Sequence, residues 1–166
     1  MLPQAQVSAA RINEVLDLES TIVDGTDRFS EESIKLEQTQ LRFDNVTYSF
    51  PEAERPVLQD LNFDMKKGQT LAIIGGTGSG KSTVANLIMR FYDASKGGVY
   101  INGKNVRDLT QHDVHERVSY VPQKANLFSG TIRSNLLDGK ENATDEEIWH
   151  ALEIAQAKDF VESLEA

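Results

Sequence analysis

The 166-residue chain carries 26 acidic against 17 basic residues, for a formal net charge of -9, and has no cysteine. Such an acidic balance argues against DNA or RNA as the main partner, because phosphate backbones need a basic face. The absence of cysteine excludes a disulfide scaffold, a thiol nucleophile and a cysteine metal site. With 39% hydrophobic and 26% charged residues, the composition is that of one soluble domain with a real core. No apolar run approaches bilayer-crossing length, and the N-terminus lacks a signal-peptide pattern.

Residues 1 to about 19 read as an amphipathic helix, with Val7, Ala10, Ile12, Val15, Leu16 and Leu18 near helical spacing. A packed surface helix and a connector to something outside the chain fit this pattern equally. From Ser20 to Gln40 the segment is polar and acidic without sustained periodicity, which predicts a partly mobile linker. The folded domain is expected to begin near Leu41. Leu41 to Phe43 and Val46 to Phe50 have strand chemistry closed by Pro51, and Glu52 to Pro56 is a turn. Val57 to Met65 alternates apolar and polar residues up to a Lys66-Lys67-Gly68 turn. Strands ahead of the first convincing helix of this part predict an antiparallel sheet beside an α/β core.

Next comes Leu71-Ala72-Ile73-Ile74, an apolar run of strand type, then Gly75-Gly76-Thr77-Gly78-Ser79-Gly80-Lys81-Ser82-Thr83, then a stretch with helical spacing. Gly75 and Gly80-Lys81-Ser82 match the phosphate-loop pattern G-x-x-x-x-G-K-[ST]. Polyphosphate needs a concave ring of backbone N–H donors, and glycines let the main chain turn and approach it. A helix opening near Lys81 aims its free N–H groups and positive dipole end at the same anion. Lys81 is expected to reach the terminal phosphates and the Ser82 hydroxyl to complete a magnesium shell. A Gly-rich strand-to-helix turn without function is the bland alternative; the complete pattern in this context favours a nucleoside triphosphate.

Further on, Asn102-Gly103 signals a hairpin, Thr110 to Arg117 suits a short helix, and Val118 to Val121 a buried strand stopped by Pro122. Thr144 and Glu147 form a capping box for a helix through Ile148, Trp149, Leu152 and Ile154. Asp145, Glu146 and Glu147 look like paired carboxylates, but acids in a first helical turn are the dipole-favoured choice. His112, His115 and His150 are scattered without metal-ligand spacing or a nucleophile partner, so a solvated reading is preferred.

Taken in order, Val46 to Phe50, the phosphate loop, Arg90-Phe91-Tyr92-Asp93, Tyr120-Val121-Pro122-Gln123 and Leu127-Phe128-Ser129-Gly130-Thr131-Ile132 resemble the ATP-binding half of ABC transporters. The likeness is to multidrug or lipid exporters whose membrane helices and ATPase domain share one polypeptide. Ser8 to Asp17 resembles the stretch joining the last membrane helix to the ATPase domain. The resemblance implies an α/β P-loop NTPase fold with an N-terminal antiparallel β subdomain, an incomplete parallel core sheet and the start of a helical subdomain. It divides the chain into 1–40, helix and linker from the membrane domain, and 41–166, the N-terminal part of the nucleotide-binding domain. It implies ATP and Mg2+ as ligands, with residues 75–83 around the phosphates, Tyr48 stacked on adenine and Gln123 beside Ser82 on the metal. The bland alternative for Tyr48 is a half-buried strand tyrosine. Partners implied are coupling helices of a transmembrane domain near Lys124 to Ile132, with Leu127 and Phe128 as apolar contacts, and a second nucleotide-binding domain. The place implied is the cytoplasmic face of the membrane.

The departures are as informative. A Walker B strand with its glutamate, a switch histidine and the Leu-Ser-Gly-Gly-Gln signature do not occur in this sequence. The chain therefore reads as a piece of an ABC ATPase that binds nucleotide without turnover. Leu71, Ile73, Val118 and Val121 are expected to lack partners, giving a marginal or self-associating fragment. A small-molecule kinase is the competing enzyme reading, disfavoured by the β-rich segment upstream of the loop and by Tyr-Val-Pro-Gln downstream. A binding module that never turns over is the third.

Overall fold

A computed structural model describes residues 2–164 as two compact units, Met1–Tyr120 and Val121–Ala166. In the first, four strands form an antiparallel sheet in the order β2-β1-β3-β4, with β1 Thr39–Tyr48, β2 Leu58–Lys66, β3 Lys96–Ile101 and β4 Lys104–Asn105. In β1, Leu41 and Phe43 are buried, and so are Val46 and Tyr48. Simple alternation would send the second pair outward. A register shift between Phe43 and Val46, with Asn45 at φ 49, inserts the bulge that keeps both pairs on the core face. Phe43 stacks on its register partner Phe63, with ring centroids 4.5 Å apart. The Asn102-Gly103 turn joins β3 to β4 with both residues at positive φ, 46 and 79, as the hairpin signal predicts.

Helix α1 spans Leu2–Leu16 and α2 Glu31–Leu36; α3, Lys81–Ile88, lays Thr83, Val84 and Leu87 into the core. Helix α4, Gln111–Arg117, starts at Thr110, whose hydroxyl accepts the Asp113 N–H, and buries Val114. The core gathers Phe43, Val46, Leu87, Val99, Leu109 and Val114.

Two expectations are revised by this unit. Leu71 to Ile74 and Val118 to Tyr120 carry strand sequences but form no strand. A strand is stable only when a ladder satisfies its N–H and C=O groups, and no described residue pairs with them. Ile74 is 94% exposed. Only Val118 finds cover, half-buried against the core. Second, the segment read as a mobile linker is docked. The Gly25 and Asp27 N–H groups donate to the carbonyls of Leu109 and Asp108 at 3.0 and 2.8 Å. Of the two readings left open for α1, the exposed Val7, Ile12, Val15 and Leu16 do not favour the packed surface helix.

The second unit contains α5 Ile132–Leu137, α6 Asp145–Ile154 and α7 Lys158–Glu162. Capping boxes open α5, at Thr131 and Ser134, and α6, at Thr144 and Glu147. Lys140 and the Thr144 N–H hold the Glu147 carboxyl below its usual range. Ile148 and Leu152 are its buried residues.

Candidate nucleotide-binding site

The loop from Gly75 to Gly80 delivers the chain to α3 through backbone that side chains disfavour. Gly78 and Gly80 lie at φ 79 and 88, the left-handed region where glycine pays no Cβ penalty. A Cβ on Gly80 would come within 2.7 Å of Leu58 Cδ2, so the loop is seated directly on the start of β2.

Gly80 is also the N-cap of α3, and no side chain caps the helix there. Among the described residues, the N–H groups of Gly78, Gly80, Lys81 and Ser82 find no protein acceptor, and the Ser79 N–H reaches only the Gly76 carbonyl at 3.3 Å. Four N–H donors without a partner thus cluster at and just before a helix N-terminus. The Lys81 ammonium rests on the loop, donating to the carbonyls of Gly75 and Gly76 at 2.7 and 2.6 Å and to Ser79 Oγ at 3.3 Å. Donors and a cation without a carboxylate among them make a set that fits a polyanion. Thr77 and Ser82 are exposed around it, whereas Thr83 turns inward and is buried. Among the described residues, no three histidines or acids lie close enough to hold a metal ion. The loop's own neutral oxygen donors are the hydroxyls of Thr77, Ser79 and Ser82.

Below the loop, Leu58, Leu61, Phe63, Leu71, Ile73 and Val84 line an open groove of about 400 Å³ that reaches Gly80 and Lys81. A second depression, about 460 Å³, lies elsewhere, over Arg42, Asp44, Asn62 and Asp64. It has no helix N-terminus, and acids balance its arginine, so it does not suit phosphate.

Tyr48, expected to stack on adenine, is largely enclosed. Its side chain is 5% exposed, with the ring stacked on Tyr92 (centroids 5.3 Å apart, 25°) and edge-on to Phe50 at 5.1 Å. Burial, and secondarily Tyr92, pushes its pKa up. Little of this residue is open, although it lines a recess together with Phe50 and Tyr92. The open aromatic surface belongs to Phe50, 40% exposed, and Tyr92, 36% exposed. They meet edge-to-face at 5.7 Å beside this recess of about 290 Å³. This cluster and the loop share a support. Tyr48 pairs with Leu58 and accepts the Val57 N–H at 2.8 Å, and both Val57 and Leu58 touch Gly80.

Gln123 belongs to the second unit, where it is exposed, as are Lys124 to Ile132. Within that stretch the Asn135 amide clamps the backbone of Phe128, accepting its N–H at 2.7 Å and donating to its carbonyl at 3.0 Å. Leu127 and Phe128 project from this ordered turn into solvent. The histidines are exposed, and one ring nitrogen of His115 lies 2.9 Å from the Met89 carbonyl.

Comparison with known proteins agrees with this geometry. The chain is 40% identical, over 97% of its length, to a multidrug efflux ATP-binding/permease protein of Mycobacterium tuberculosis, of which it spans 13%. It is 39% identical, over 79% of its length, to a Staphylococcus aureus protein named for multidrug export ATP-binding/permease activity, of which it spans 23%. Among solved structures, a bacterial Atm1-family ABC exporter with ATP bound superposes with a TM-score of 0.83 and 29% identity, over 98% of this chain and 28% of that one. The chain thus spans a quarter or less of the curated relatives it matches. The ABC transporter family model matches residues 58–164, and the chain belongs to that family.

Proposed function

We propose that these residues are the ATP-binding portion of an exporter in which hydrolysis of ATP drives export across a membrane. The observation that carries this reading is the cluster of unpaired N–H groups at the start of α3, with the Lys81 ammonium on the loop carbonyls.

In this reading the N–H groups of Gly78, Gly80, Lys81 and Ser82 hold phosphate oxygens. Lys81 exchanges its loop carbonyls for the terminal phosphates, and Gly75, Gly76, Thr77, Ser79 and Thr83 shape the cradle. Magnesium, when bound, neutralises the charge shared between the outer phosphates. Ser82 supplies a protein oxygen to it, and phosphate and water supply the rest. Adenine packs on the exposed aromatic surface of Phe50 and Tyr92, with Tyr48 as the buried support behind it. The stretch Lys124 to Ile132 meets a membrane domain at its cytoplasmic face, and a second nucleotide-binding domain completes the assembly. Both partners are supported by relatives that join ATP-binding and permease functions in one name. The 166 residues alone are expected to bind without turnover, because no glutamate follows a Walker B strand in this sequence.

Calorimetry with Mg-ATP, with phosphate release followed on the same sample, tests this. Binding without release is expected. Lys81→Ala is expected to weaken it by about 10- to 100-fold, the scale of a lost hydrogen bond to a charged group. Release that Lys81→Ala abolishes would mean that catalytic groups are present; unchanged affinity in the variant would remove the phosphate-loop assignment.

A further inference from the structure

The segment ahead of the sheet is a strap rather than a tether. Residues 23–28 run along Arg107 to Gln111. The Gly25 and Asp27 N–H groups reach the carbonyls of Leu109 and Asp108, and Asp27 bridges Leu109 in parallel. Asp24 Oδ1 accepts the Gln111 N–H at 2.8 Å, and Lys104 Nζ pairs with Asp27 Oδ2 at 3.2 Å. The crossing is so close that a Cβ on Gly25 would sit 2.1 Å from the Asp108 carbonyl oxygen.

Arg90 joins this strap to the phosphate-loop helix. It follows α3 directly after Met89, is 2% exposed and sits at φ 52. Its Nη2 donates to the Val23 carbonyl at 2.7 Å, on the strap, and its Nη1 to the Leu109 carbonyl, on the segment beneath. One guanidinium therefore holds both sides of the crossing, while its own carbonyl accepts from Gln111 Nε2 at 3.1 Å. If the strap lifts, a buried charged donor loses its acceptor, which is expensive inside a protein. The third side is left incomplete: Nε lies 3.5 Å from Asp93 Oδ1, and neither buried atom has a hydrogen bond. A small shift at the end of α3 turns that contact into a charge-assisted hydrogen bond. The end of α3 is thus held on two sides by hydrogen bonds and on the third by the looser contact with Asp93, which Arg107 Nε also approaches at 3.7 Å.

We infer that Arg90 is a positioning residue that couples occupancy of the phosphate loop to docking of the 23–28 strap. The inference rests on the nucleotide reading above. A phosphate that fixes the first turn of α3 tightens its far end. By reciprocity, the docked strap raises nucleotide affinity by the same factor.

Hydrogen exchange of the Gly25 and Asp27 amides, measured on the 166-residue chain with and without saturating Mg-ATP, tests it. In the parent both amides are expected to slow by about fivefold or more, the lower end of allosteric couplings. Arg90→Gln is expected to bind Mg-ATP with that response gone, and Lys81→Ala, at the concentration that saturates the parent, to show a response reduced in step with its weaker binding. Gly25→Ala lifts the strap without touching Arg90, so it carries the test if Arg90→Gln does not fold. It is expected to lower Mg-ATP affinity by the factor seen in exchange. If the parent binds Mg-ATP and the amides do not respond, the coupling is wrong although the site stands. If the parent does not bind Mg-ATP, the nucleotide reading fails and the coupling falls with it. A response that persists in Arg90→Gln would move the link to another residue.

Discussion

Strand β1 and the stretch Leu71 to Ile74 are written in the same chemistry, and only one of them is a strand. Leu41, Phe43, Val46 and Tyr48 sit in a ladder with β2 on one side and β3 on the other, all buried. Leu71, Ile73 and Ile74 are as apolar and stand exposed without a ladder. Intrinsic preference is thus a condition for a strand and not its cause; partners for both edges and both faces decide the matter. Between the two regions hangs the phosphate loop, seated on β2 by Gly80 and leading out of the unpaired stretch.

Paired substitutions sharpen this contrast. Phe43→Ala is expected to cost about 3–5 kcal/mol in chemical denaturation, the range for a buried aromatic that leaves a cavity. Gly80→Ala breaks the seat between the regions. With φ 88 and Leu58 in the way, it is expected to cost about 1–3 kcal/mol, and to weaken Mg-ATP binding in calorimetry. Away from both regions, Thr144→Ala removes one half of the α6 capping box, at about 1 kcal/mol. The other half titrates: the Glu147 carboxyl has a lowered pKa, so its contribution is present above the ordinary carboxylate value and fades as pH falls through the lowered one. The acid side of a stability–pH curve is expected to flatten in Glu147→Gln. The smallest effect is assigned to Ile74→Ala, within about 0.5 kcal/mol. Ile74→Asp is nevertheless expected to reduce self-association in sedimentation, because the exposed patch rather than the fold is its target. An Ile74→Ala cost like that of Phe43→Ala would erase the contrast.

The phosphate loop was legible as a pattern, and its Gly78 and Gly80 hold the left-handed backbone that glycine permits. The two capping boxes and the Asn102-Gly103 turn are local features too, although of the boxes only the one at Thr144 was read in advance. Tyr48 and Phe50 were not separable in that way. Both are aromatic and both lie near a strand end; which of them is covered depends on the ladder stopping at the Tyr48–Leu58 pair and on Tyr92 arriving from beyond α3. The strap was misread for a related reason. Polar, acidic and aperiodic, it has nothing in its own residues to announce docking, which is done by main-chain groups and by an arginine distant in sequence.

The posture of Lys81 has a kinetic consequence. Its ammonium already rests on the carbonyls of Gly75 and Gly76, so an arriving phosphate displaces short contacts rather than filling an unassigned space. In the function proposed above, association is a ligand exchange at the Lys81 nitrogen. Net affinity is the difference between two sets of bonds to one cation, smaller than either. Added salt then acts chiefly on how fast the anion finds the loop.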